Sequence, residues 1–132
     1  MAMKELLIAE KDPDTRQRMA ELFSSEGYSV TVADSLGKMI GSILQKVSQV
    51  ILLGSKFDEL PPFDLISILK KCNRKLSIIL VSDELPLPLM RKVRSAGIFY
   101  HALKPARPED AEEILQAVRC AFDRTMDSQA AH

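Results

Sequence analysis

At 132 residues the chain has the length of one compact domain and can bury a core without disulfides or a structural metal. An apolar fraction of 46% excludes a disordered chain, and 18 basic against 18 acidic residues leave no net field to draw it to nucleic acid or an anionic membrane. No apolar run approaches a membrane span, no signal peptide is visible, and Cys72 and Cys120 form neither a disulfide framework nor a zinc pattern, so a cytoplasmic soluble protein is expected.

Short apolar runs alternate with amphipathic segments five times. The first run is Leu6–Ala9. Asp12 is placed to cap a helix with Pro13 at its first position; Met19, Leu22 and Phe23 follow at helical spacing, and Gly27 ends it. Tyr28–Val32 reads as the second strand. Ser35 can cap a second helix carrying Met39, Ile40, Ile43, Leu44 and Val47, which Gly37 and Gly41 weaken by roughly 1 kcal/mol each.

Val50–Leu53 is apolar on both faces, as a central parallel strand must be. A third helix is expected over Phe63–Lys71, with Leu65, Ile66 and Leu69 on one face. Leu76–Val81 is the fourth strand. Pro86 and Pro88 crowd the start of a fourth helix, which carries Met90 and Val93 and stops at Gly97. Ile98–Leu103 is the fifth strand. Pro108 is placed to open a fifth helix with Ile114, Leu115, Val118 and Phe122. Residues 1–126 form the domain, and the small, polar residues 127–132 are expected to be a disordered tail.

Strict strand–helix alternation implies a parallel sheet with helices on both faces and right-handed crossovers. Five units in this length fit the flavodoxin-like order 2-1-3-4-5, whose ligand site lies at the carboxyl ends of the strands. The residues there are Glu10-Lys11, Gly54-Ser55, Ser82-Asp83 and Lys104-Pro105.

These positions carry a resemblance to the receiver domain of bacterial response regulators, extending from about Lys4 to Phe122. Leu7-Ile8-Ala9-Glu10-Lys11-Asp12-Pro13 is similar to the family's opening strand and acidic turn. Ile79-Leu80-Val81-Ser82 resembles the strand that presents a hydroxyl, and Ala96-Gly97 followed by Lys104-Pro105 is the most specific match. The resemblance implies a signalling module of two-component pathways with no enzymatic activity of its own. It implies phosphate contacts at Ser82 and Lys104, and a cis Lys104–Pro105 bond aiming the lysine inward.

Departures from the pattern shape the expected function. Gly54 stands at the phosphoacceptor position and has no side chain to attack a phosphoryl donor. Lys11 replaces a carboxylate that would ligate magnesium, and an ammonium repels a hard dication, so magnesium binding is expected to be lost and no metal or other cofactor is called for. Asp83 stands where the family prefers a small residue and is expected to restrict the pocket. His101 replaces the aromatic residue whose rotation reports phosphorylation. With no aspartate at position 54, Lys104 is expected to pair with Glu10 or Asp83, and Lys11 to pair with Glu10 or turn outward.

The leading expectation is therefore a phosphorylation-independent pseudo-receiver acting through protein contacts. Its partner would be a kinase, an output domain or another receiver, and homodimers could form through the fourth helix, fifth strand and fifth helix. Phe99 and His101, two apart, would share the strand face there, with Leu85, Leu87 and Leu89 adding apolar surface. The alternative is a phosphorelay receiver using another acid, Asp58 or Glu10, although Asp58 lies about 13 Å along extended chain from position 54. A small flavodoxin-like nucleotide-binding enzyme fits poorly, because no glycine-rich cradle follows the first strand.

Read without the resemblance, the same residues have ordinary roles. Glu10-Lys11-Asp12 makes a solvated turn with a helix cap, Ser82 satisfies backbone at a strand end, Lys104 is a surface lysine and His101 a packed histidine. Cys72 and Cys120 need no chemical role, and Arg91-Lys92-Arg94 forms a solvated helix face.

Overall fold

The computed structural model describes residues 4–45, 48–55, 57, 60–105, 107 and 110–130, with side chains described as far as residue 125. The strands are β1 (Glu5–Ala9), β2 (Ser29–Ala33), β3 (Val50–Gly54), β4 (Ser77–Ser82) and β5 (Tyr100–Leu103). The helices are α1 (Pro13–Ser25), α2 (Leu36–Leu44), α3 (Pro62–Cys72), α4 (Leu87–Ala96) and α5 (Ala111–Ala130). All pairings are parallel, and the strand order is β2-β1-β3-β4-β5, the order the sequence pattern implies.

Alternation along the strands divides the core in two. Leu6, Ile8, Val50, Leu52, Ile79, Val81 and Ala102 face α1 and α5, where Met19, Phe23, Ile114 and Val118 cover them. Leu7, Ala9, Ile51, Leu53, Ile78 and Leu80 face α2, α3 and α4, under Met39, Ile43, Leu65, Leu69 and Val93. Every residue of β3 and β4 is buried, which is why these strands read as unbroken apolar runs rather than alternating ones.

The local signals act as read. Asp12 caps α1 by accepting from the Thr15 N–H at 2.9 Å, and Ser35 caps α2 by accepting from the Lys38 N–H at 3.2 Å. Gly97 closes α4 in the left-handed region at φ 107°, a conformation that other residues adopt only with strain.

The start of β5 and the end of α5 differ from the boundaries the sequence pattern implies. β5 starts at Tyr100 rather than Ile98, because Ile98 and Phe99 form the lead-in from the α4 cap. Phe99 accordingly packs on the α1–α5 side, with the Arg124 guanidinium 5.0 Å from its ring centre, and does not share a face with His101. α5 extends to Ala130, past Asp127 where the tail was expected to begin, with no glycine or proline to interrupt it. Val47, Asp58 and Pro108 lie outside the described residues.

Candidate functional site

The sheet order places the ends of β1 and β3 side by side, with Ala9 opposite Leu53. Glu10 and Gly54 are the next residues along these neighbouring strands. Gly54 has no left-handed φ, so its backbone does not call for glycine. Space does. A Cβ built on Gly54 would overlap Oε2 of Glu10 and stand 2.9 Å from its Cδ and 3.3 Å from its Oε1. The Glu10 carboxyl therefore occupies the room in which a side chain at position 54 would begin.

Glu10 is held there by its own turn. Oε2 accepts the Lys11 N–H at 2.9 Å, and the Glu10 N–H donates to the Ala33 carbonyl at 3.0 Å. Arg16 Nη1 donates to the Glu10 carbonyl at 3.0 Å and the Lys11 carbonyl at 3.3 Å, clipping the turn to α1. Glu10 is only 8% exposed. Burial pushes its carboxyl above the usual range, opposed by the Lys11 N–H and by the charge of Lys104. A cavity of about 10 Å³ lies against Glu10, Gly54, Thr15 and Met19, about the least volume that admits one water.

Lys11 is exposed, the outward of the two placements expected for it. The expected ion pair to Lys104 is absent. Among the described residues no carboxylate lies within 4 Å of it, and it acts through space on Glu10 and Asp12. Asp83 is exposed, and only its carbonyl takes part in the site. Asp83 is exposed while Lys104, half-buried, leaves a different strand end and lines a groove beside α1, and a weak surface pair does not offset the entropy of holding two side chains together. The Lys104–Pro105 bond is trans, as no peptide bond among the described residues is cis; this is the ordinary state of an X–Pro bond.

Ser82, 1% exposed, ends β4. Its hydroxyl donates to the Asp83 carbonyl at 2.8 Å and lies 2.7 Å from Nε2 of His101 on β5. With the hydroxyl proton committed to the carbonyl, Nε2 is the donor in the second bond. Burial holds the imidazole below its ordinary value and Arg94 adds to this, while Glu113 opposes it. His101 is thus a neutral Nε2–H donor near pH 7. Ser82 and His101, 19 residues apart in sequence, are one hydrogen-bonded pair.

The donor set does not suit magnesium. Of the acidic pair only Glu10 remains; its carboxyl is turned onto Gly54, and position 11 carries an exposed lysine in place of a second oxygen ligand. No group of three or more His, Cys, Asp or Glu side chains that could hold a metal occurs among the described residues.

Sequence reasoning identified both Glu10 and Gly54 but not that one fills the gap left by the other. The signal was present: in the order 2-1-3-4-5 the first and third strands are neighbours, and glutamate is long enough to cross. It did not identify Thr15, Arg18 and Leu22, which line a groove beside Lys104.

Comparison with known proteins agrees with this architecture. The response regulator receiver domain model matches residues 6–119. The transcriptional regulatory protein GlrR of Escherichia coli K12 is 22% identical over 120 residues, covering 91% of this chain but 26% of that protein. A CheY-like receiver domain protein from Methanospirillum hungatei JF-1 superposes with a TM-score of 0.81 at 20% identity, over 96% of this chain and 99% of that one. The signal receiver domain of an HD domain-containing protein from Pseudomonas fluorescens Pf-5 gives 0.85 at 18% identity, over 98% and 94%. Among the described residues no helix is long and apolar enough to cross a membrane.

Proposed function

The chain belongs to the response regulator receiver domain family, and from that premise we propose that it is a two-component signalling module that works through protein contacts without being phosphorylated. The carrying observation is the Glu10 carboxyl lying in the room of a position-54 side chain. Phosphoryl transfer on a receiver needs a nucleophile in that room, a dication beside it and space for the transferred group. Here the nucleophile is replaced by glycine, the second metal oxygen by the exposed Lys11, and the space by a cavity of about 10 Å³.

The output pair supports the same reading. Ser82 is already bonded to His101, so the hydroxyl that would meet a phosphoryl oxygen is engaged in the resting protein. Communication then runs through a fixed surface. Leu87 on α4 is 62% exposed, and Tyr100 and Leu103 on β5 are 40% and 54% exposed. Tyr100 is held by its hydroxyl, which donates to Glu113 of α5 at 3.0 Å. Apolar groups on adjoining elements suit a protein partner: a kinase, an output domain or a second receiver.

A phosphorelay role for Glu10 has one point in its favour, a carboxylate at the right place, and is opposed by the small volume of the cavity beside it, about 10 Å³. Incubation with magnesium and acetyl phosphate followed by intact-mass measurement separates the two. No mass gain is expected. A gain of one phosphoryl group, located on Glu10 or Asp58, would overturn the proposal.

A further inference from the structure

Beside the filled pocket, a groove of about 200 Å³ opens between α1 and the chain leaving β5. Thr15 and Met19 line both the groove and the small Glu10–Gly54 cavity, so they stand between the two spaces. The groove's wall is apolar where Met19 and Leu22 of α1 face Pro105. Two cations reach it from separate elements, Arg18 of α1 and Lys104 after β5. Among the described residues neither is held in an ion pair; Arg18 acts through space on Asp12, and Lys104 on Asp12 and Glu10. Ala111, the first residue of the 20-residue α5, closes the groove, and Glu112 and Glu113 in the first turn already meet the positive end of that helix.

Two converging cations favour an anion, while the wall between them favours carbon. A dry cavity of about 150 Å³ accepts benzene, so this groove has room for a ring-sized body beside its charged group. We propose that it binds a small organic anion, a phosphate or carboxylate of metabolite size carrying a compact apolar body. Arg18 and Lys104 meet the anionic group, and Met19 and Leu22 cover the body. Such a ligand would give the domain an input that needs neither magnesium nor a phosphoryl donor. The inference goes beyond the reading of the pocket and stands without it, because none of these contacts involves Gly54.

The test is a titration of the full chain, without magnesium, followed by backbone amide shifts. The probes are phenyl phosphate, inorganic phosphate and benzyl alcohol. Phenyl phosphate should saturate with a Kd on the order of 1 mM, the range open to so small a ligand. The shifts should centre on Thr15, Arg18, Leu22 and Ala111. Inorganic phosphate should bind about tenfold more weakly for want of the apolar body, and benzyl alcohol should not saturate. The Arg18→Gln, Lys104→Gln double variant should lose about tenfold in affinity through its missing charge-assisted hydrogen bonds, with an unchanged thermal midpoint. The proposal is overturned by no saturable shift, by shifts centred elsewhere, by equal affinity for the two phosphates, or by a double variant that binds as well as the parent.

Discussion

Replacing Gly54 with alanine should move Glu10 rather than break the fold. The new Cβ cannot coexist with the carboxyl, which it would overlap. The obstructing atoms are the far end of a flexible side chain, which can move at less cost than backbone. Two terms favour the variant: about 0.8 kcal/mol for the buried methyl, and about 0.4–1 kcal/mol from the less flexible unfolded chain, available because Gly54 has no left-handed φ. Against them stands the lost bond from the Lys11 N–H, about 1.5–3 kcal/mol for a charged acceptor, reduced by the return of a buried carboxylate to water. The sum should lie within about 1 kcal/mol of zero, whereas true overpacking costs about 1–3 kcal/mol. Urea denaturation reads the stability, and carbon-13 titration of the Glu10 carboxyl reads its position. In the variant its pKa should fall back toward the ordinary carboxylate range. A loss well above 2 kcal/mol with the Glu10 titration unchanged would refute the argument, since the carboxyl would then be fixed where it is.

Three further outcomes follow from the same geometry. Burial raises the Glu10 pKa in the folded state, so its contribution is fully present below its unfolded value, about 4.3, and is lost as pH rises through the folded value; relative to Glu10→Gln, the parent should lose stability as pH rises above the unfolded value in paired urea titrations. Ser82→Ala leaves the His101 Nε2–H without its acceptor, and a double-mutant cycle with His101→Phe should return a coupling of about 1 kcal/mol; a coupling near zero would dissolve the pair. Gly54→Asp alone should take no phosphoryl group from acetyl phosphate and magnesium, with partial recovery only when Lys11→Asp is added; labelling of the single variant would show that Lys11 matters less than its charge suggests.

The scaffold was legible because its signals are local and repeated. Apolar runs at Leu6–Ala9, Val50–Leu53 and Ile78–Val81, separated by amphipathic helices, leave few arrangements other than a parallel sheet. The strand-end residues followed from that topology. Their contacts did not, because contacts depend on side-chain direction and length. Charge complementarity suggested that Lys104 would seek Glu10 or Asp83. Instead Glu10 turns inward onto Gly54 and Asp83 outward to solvent. Phe99 and His101 were placed on one face by their spacing, but the strand begins only at Tyr100, so alternation does not extend back to Phe99. The cis bond came from resemblance alone, and the chain does not share that feature.

The central claim is that Glu10 closes the pocket from within, so that no divalent cation settles there. Paramagnetic manganese(II), a hard dication with magnesium's preference for oxygen ligands, reports this directly through the amide signals of the native protein. The account predicts no selective broadening at Glu10, Lys11, Gly54 or Ser55, only diffuse loss at exposed acids such as Asp14 and Asp64. Saturable broadening centred on Glu10 and Gly54, relieved by excess magnesium, would contradict it.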